Sequence, residues 1–333
     1  MAESDQHRAV PKAARAPSFS MEVDYSDGTV LVPYRSRGRG KNLTLWIEDP
    51  KVKLGKEGHT MAIITIAREL ASLGEETARE LVERSGYKLI DKEYLEAKLN
   101  SIGIGPEKRE KYDEKSPGFW ASLSQQRDDY LHFLKTAILD AADENNCVIM
   151  GRGGYAILRG IPHMIAVKIT APLSQRLERT KKAFSCENKQ ALQILEQSDH
   201  DRAGFHKYFF STSWADAREY DLTLNTGNVD PARAAAVIDS LRKTLVSKDR
   251  EETGIQKVAD LVLAQKIVTE IIYSRKIPVH FLEATVDKGH VVLHGVANAQ
   301  SSIDTALAAA HGVSGVGQVE SAIQLVQEFT VMP

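Results

Sequence analysis

Cysteine is nearly absent: Cys147 and Cys186 are the two in 333 residues, far apart and in no CxxC spacing. That excludes a disulfide framework and a cysteine-based zinc site, and leaves both as ordinary buried thiols. A surplus of charge is lacking too, since 43 Lys and Arg against 45 Asp and Glu leave a formal charge of −2. Nothing global draws the chain to nucleic acid or to an anionic membrane, so any anion site has to be local. No run of ~18 consecutive apolar residues occurs, which argues against stable membrane insertion. The opening "MAESDQHRAVPKAARAPSFS" lacks the apolar core of a secretory signal, and the expectation is a soluble, cytoplasmic protein. The histidines, His200 and His206 among them, show no HExxH spacing, so no metal held by protein ligands alone is expected.

What is present suffices for two cores, at 42% hydrophobic residues. Residues 1–20, rich in Ala, Pro and charge without periodicity, read as a disordered arm. Residues 21–60 read as a hairpin-like extension, with "TVLVPYR" and "NLTLWIE" flanking the basic turn "SRGRGK", which is read as solvated. Over 61–247, short apolar runs alternate with longer amphipathic stretches, the pattern of an α/β domain with a parallel sheet. Strands are expected at "AIITIA", "YKLID", "CVIMG", "MIAVKIT" and "YDLTLNT", with helices between them. Asp230 as N-cap and Pro231 at the first helical position open the last helix. The charged "SKDREETG" is read as a linker over 248–254. Residues 255–328 then follow the order helix, strand, strand, helix, strand, with Val291, Leu293 and Val296 as core candidates.

Directly after the first apolar run stands "IARELASLGEET". A phosphate loop works because successive backbone N–H groups face phosphate oxygens at a helix N-terminus, with glycines permitting the bend. A lysine and a Ser or Thr complete it, and the pattern G-x-x-x-x-G-K-[ST] is absent here. Glu75 and Glu76 stand where positive charge would help, each repelling a phosphate by about 1 kcal/mol at ~4 Å in water. Acidic residues in a first turn are also what any helix start favours, by about 0.3–1 kcal/mol each.

The stretch "ITIARELASLGE" resembles the opening signature I-T-I-[SA]-R-E-[FY]-G-S-G-G-R of the cytidylate kinase-like family, with Ala71 and Leu73 in place of glycines and Glu75 in place of the basic residue. "YKLIDKEYLE", "CVIMGRGGYAILRG" and "APLSQRLER" are similar to later segments of that family, in its order. "DRAGFHKYFFSTSWADAREYDLTLNT" resembles its long D-x-x-R-x-x-Y-x-K-Y-x-x-x-x-W-x-D-x-x-x-Y-D-L-x-x-N-T motif. The C-terminal "GHVVLHGVANAQSSIDTALAAAHGVSGVGQVESAIQL" resembles a BON domain. The implied fold is a P-loop, nucleoside monophosphate kinase-like parallel sheet with helices on both faces, followed by a small αββαβ BON-like domain.

The resemblance implies a phosphate-binding set of Arg68, Ser72, Gly74 and Thr77. It implies nucleotide contacts from Asp91, Gly151, Arg179 and Lys207, although an Asp opening a helix is equally an N-cap. Arg152 would serve the acceptor, while Arg202 and Arg176 would offset transferring charge, because phosphoryl transfer is largely positioning and neutralisation. For Arg176 and Arg179 the equal alternative is pairing with Glu178 or Glu187 on a solvated surface. Trp214, Tyr220 and Asp221 are read as packing and capping residues. The implied function is transfer of phosphate from Mg2+-ATP to a CMP-like pyrimidine nucleoside monophosphate. The alternative is a catalytically weak or inactive regulatory protein that senses a nucleotide or other ligand and signals through its BON-like domain. A phospholipid or small ligand at that domain, and a homo-oligomer, are compatible partners. Nucleic acid is not an expected one.

Overall fold

The computed structural model describes residues 60–102 and 124–326, and the arm and hairpin expected ahead of Thr60 lie outside them. Five parallel strands form the central sheet: β1 (Ile63–Arg68), β2 (Lys88–Ile90), β3 (Cys147–Met150), β4 (Met164–Thr170) and β5 (Leu222–Asn225), in the order β2-β3-β1-β4-β5. Five of the six β1 residues are buried, as expected of the central strand of a sheet covered on both faces. β3 lies on one side of β1 and β4 on the other. The crevice at the carboxyl ends of these strands is therefore where such a sheet receives a ligand.

Helices cover both faces. α1 (Gly74–Ser85) and, later, α7 (Pro231–Leu245) pack Ala78, Leu81, Ala235 and Ile238 against Ile64, Ile66, Val148 and Val167. On the other face α2 (Lys92–Ser101), α3 (Ser124–Asp143), the single turn α4 (Gly154–Ile157) and α6 (Asn188–Phe210) enclose Ile63, Cys147 and Ile149 with Leu95, Leu134 and Phe205. α5 (Leu173–Phe184) runs beside α6. The helix ends follow their residues. Asp91 and Asp230 accept the N–H groups of Tyr94 and Arg233, and Gly86 closes α1 in a left-handed turn with its N–H on Val82 O. Cys147 is buried as expected, whereas Cys186, between α5 and α6, is only half-buried.

The segment read as a linker is helical. Ser247 caps α8 (Lys248–Val268), with Asp249 and Glu251 in its first turn, so the charge run read as solvated chain is a helix-start signature. Its glycine is explained by packing, since a Cβ on Gly254 would lie 1.9 Å from His163 Nδ1. α8 belongs to two cores. Val258 and Val262 are buried with Leu134 and Phe205, while Ile267 and the following π turn's Ile271 are buried with Val291, Leu293 and Ile303. Arg250 Nε donates to Pro162 O at 2.8 Å, Lys257 Nζ to Gly160 O at 3.0 Å, and Tyr273 Oη to Asp129 Oδ1 at 3.0 Å.

The C-terminal module adds β6 (His280–Asp287), β7 (His290–Ala297), α9 (Gln300–His311) and β8 (Gln318–Leu325). β6 pairs antiparallel and β8 parallel with β7, giving the expected αββαβ order. Val291 and Leu293 face its core, but Val296 does not. The inward residue there is Ala297, because alternation from Leu293 passes through Gly295. A bulge in β6 crosses Gly295, where a Cβ would lie 3.0 Å from His280 O.

Two consequences concern the seating of α8. Gly254→Ala is expected to lower stability by about 1–3 kcal/mol, through overpacking against His163, in urea denaturation. An unchanged midpoint would mean that α8 does not rest on that ring. His163 and His132, buried and bonded to Asn145 and Thr269, are both held by burial at a pKa of about 4, below the ordinary 6.5. Both fold neutral, so their contribution is complete above pH 6.5 and declines as the pH falls toward about 4. A thermal-melting series across that window should show the decline, and His132→Gln should flatten it.

Candidate active site

The chain leaves β1 at Arg68, bends through 69–73 and enters α1 at Gly74. Ala71 and Leu73 have φ of 59° and 61°. This left-handed conformation costs a residue with a side chain about 1–2 kcal/mol. These are two of the three positions at which the resembled signature has glycine, the third being Gly74, so the bend is kept without those two. Its carbonyls are tied from outside. Arg176 Nε donates to Leu70 O at 2.8 Å, Arg179 Nη1 to Ala71 O at 3.1 Å and Thr226 Oγ1 to Ser72 O at 2.6 Å. The hydroxyl of Thr77 donates to Leu73 O at 2.7 Å. Inside the loop Ser72 N donates to Glu69 O at 3.3 Å. Leu73, the N-cap of α1, supplies no side-chain hydrogen bond to the helix start.

This gives several predicted residues a definite place. Arg176 is buried, its Nη2 lies 2.8 and 2.9 Å from the Asp199 oxygens, and its Nη1 is 3.3 Å from Glu69. Arg179 also donates to Gln175 and to Thr226 O. Both guanidiniums are committed to the loop's outer side. The hydroxyls of Ser72 and Thr77 are committed to Glu69 O and Leu73 O.

Facing the loop is a cleft of about 1060 Å³ whose wall includes Arg68, Glu75, Lys92, Arg152, Phe184 and Arg202. Arg152 follows β3 with φ of 51°, between Gly151 and Gly153, which are also left-handed. Its Nη1 donates to Tyr130 Oη at 3.3 Å, and its Nη2 is 3.7 Å from Glu96. Gly151 N donates to Ile66 O, fastening this turn to β1. Arg202, on α6, donates from Nη1 to Ser198 Oγ at 2.6 Å. Arg68 crosses the start of α1, where a Cβ on Gly74 would meet its Cβ at 2.5 Å. Its Nε donates to Glu75 Oε1 at 2.9 Å. Burial raises the Glu75 pKa, but Arg68 and Arg202 outweigh that and hold the carboxyl below its ordinary range. Arg68, Arg152 and Arg202 are thus brought together. Asp91 is the N-cap of α2, and Lys207 is exposed on the last turn of α6; neither is on the cleft wall.

Sequence reasoning did not single out Glu69, Asp199 or the loop-holding part of Thr226. It also passed over Lys168, whose signal was a cation inside the apolar strand "MIAVKIT". Lys168 is buried, donates to Trp214 O at 2.8 Å and lies 4.4 Å above the Trp214 ring. Burial lowers its pKa, with Glu69 and Asp199 opposing. Tyr220 Oη donates to the same Trp214 carbonyl, and Asp221 accepts Ala166 N, so these motif residues shape the fold. Among the described residues no group of three or more His, Cys, Asp or Glu side chains is placed to hold a metal ion. Among the described residues no helix is long and apolar enough to cross a membrane.

The family model described as the cytidylate kinase-like family matches residues 63–228, and that of the BON domain matches residues 259–327. The chain therefore carries a cytidylate kinase-like segment followed by a BON domain. No curated protein matches the chain. Among solved structures it is similar to an uncharacterized protein from Eubacterium ventriosum ATCC 27560, at 24% identity over 54% of this chain and 98% of that one, with a TM-score of 0.44. It is also similar to shikimate kinase from Acinetobacter baumannii in complex with shikimate, at 15% identity over 55% and 93%, with a TM-score of 0.33. A third is the YorR protein from Bacillus subtilis in complex with phosphorylated GDP, at 15% identity over 54% and 95%, with a TM-score of 0.32.

The strained loop makes a direct expectation. Ala71→Gly should raise stability by about 1 kcal/mol in urea denaturation, because glycine takes the left-handed conformation without the Cβ clash. A loss of stability would show that residue 71 is not left-handed.

Proposed function

We propose that the cleft binds a nucleotide and that the chain is a phosphotransferase moving phosphate from ATP to a CMP-like pyrimidine nucleoside monophosphate. The observation that carries this reading is the loop after β1. Its left-handed bend, its tied carbonyls and the helix start without a side-chain cap stand beside Arg68, Arg152 and Arg202, and a helix start with guanidiniums is what a phosphate would recruit. The chemistry asks little covalent work of the protein and much placement of positive charge. Arg68 takes the part of the absent loop lysine from the strand end, over the helix start that Gly74 leaves open. Arg152, after β3, holds the acceptor phosphate, for which its planar fork is suited. Arg202 reaches the cleft from α6 and offsets charge spread over the transferring group. Arg176 and Arg179 act through the loop that they hold. Magnesium supplies charge neutralisation when it enters with ATP. Such an ion takes most of its ligands from phosphates and water. A cytoplasmic location accompanies this reading.

A second reading, a regulatory protein with little turnover, is favoured by one specific arrangement. α3 carries Tyr130, bonded to Arg152, and on the same stretch Asp129 and His132, bonded to Tyr273 and Thr269 of the C-terminal module. One helix thus touches the cleft arginine and the BON domain, a route by which occupancy of either could bias the other.

Calorimetry of the full chain with ATP and with CMP, magnesium present, together with an assay for ADP, separates the readings. CMP-dependent ADP release supports the first, and CMP binding without turnover supports the second. Binding of neither retires both. If the enzyme turns over, Arg202→Ala should lower kcat by about 10²–10³, and Arg152→Ala should weaken CMP binding by about tenfold or more. Unchanged CMP affinity would remove Arg152 from the acceptor site.

A further inference from the structure

Phosphoryl-transfer chemistry has no use for a carboxylate at the start of a phosphate-binding helix, yet Glu75 stands in the first turn of α1, with its side chain 49% exposed on the cleft wall. Its carboxylate accepts Arg68 Nε at 2.9 Å, takes a hydrogen bond from its own backbone N–H and lies in the field of Arg202. A helix-start N–H and two guanidiniums are the partners a phosphate would recruit at this place. The neighbouring Glu76 lies on the same turn and is exposed, with no salt bridge to either arginine. Gly74 adds a second constraint. The stem of Arg68 fills the space its side chain would need, so the cation reaches the helix start from seven residues before Glu75 and is already bonded to it.

We propose that Glu75 is a resident anion. Its carboxylate occupies the seat between Arg68, Arg202 and the start of α1 that a ligand phosphate takes, so phosphate enters by exchange and Glu75 sets the affinity of the cleft. This rests on reading the cleft as a phosphate site. Two anions cannot share those donors closely, because their repulsion grows as water is excluded. The exchange is sterically open, since a half-exposed side chain can turn to solvent when its partner is taken. Pairing with Glu75 offsets the Arg68 charge when no ligand is bound, and a phosphate-bearing ligand takes over that role only once the carboxylate has left.

The test is calorimetric titration of the full chain with magnesium-free pyrophosphate and magnesium-free ATP, in the unaltered protein, Glu75→Gln and Glu76→Gln. Glu75→Gln keeps the size of the side chain and removes its charge. It is expected to bind both probes about tenfold tighter or more, with less than about twofold change for Glu76→Gln. Equal or weaker binding by Glu75→Gln overturns the proposal and leaves the cleft as a phosphate site. Equal gains in the two variants also overturn it, since the effect would then be one of general charge. Absence of binding in all three proteins, each folded by circular dichroism, overturns the reading of the cleft and the proposal with it.

Discussion

Two arginines on α5 reach across the end of the sheet to the carbonyl oxygens of Leu70 and Ala71, and Thr226, after β5, closes on that of Ser72. On these three bonds the shape of the loop depends. Two left-handed residues with side chains cost roughly 1–2 kcal/mol each. Hydrogen bonds from charged donors contribute about 1.5–3 kcal/mol each, enough to offset that strain. Glycine is one way to make such a bend, and guanidinium props are another. The props require the sheet order, because α5 and Thr226 can reach the loop only when β4 lies beside β1 and β5 beside β4.

The same economy of contacts governs the join between modules. α8 buries one stripe with Leu134 and Phe205 and another with Val291 and Leu293, so a single helix completes two cores. Side chains from both modules meet around it: His132 with Thr269, Tyr273 with Asp129, and the Gly254 backbone on His163. A segment held in this way transmits strain where a solvated linker would absorb it. α3, which contacts α8 along its length and reaches Arg152 through Tyr130, shares that property.

Charge around the loop and the cleft is arranged in pairs. Arg176 lies among Asp199 and Glu69, Arg68 holds Glu75, and Lys168 rests over the Trp214 ring with Glu69 and Asp199 nearby. Each cation is compensated in the chain itself, which agrees with the near-zero formal charge of the whole sequence.

Much of this was legible in the residues. Apolar runs of strand length, alternating with amphipathic stretches, gave the five strands and their helices, and Asp230 with Pro231 marked a helix start that formed as read. Periodicity and capping are local, so they survive without knowledge of partners. The segment 247–254 defeated the same logic, because a capped, acidic first turn and a charged linker share a composition, and only burial of Gly254 against His163 distinguishes them. The parts taken by Arg176, Arg179, Ser72 and Thr77 were hidden for a related reason. A cation's partner can lie on any element, and the sequence does not state which carbonyl it will face. By itself, then, the sequence determined the element order, the two cores and which residue types could meet an anion. Tertiary structure decided which arginines face the cleft and which hold the loop, because that choice depends on distances across a sheet between residues as much as 108 positions apart.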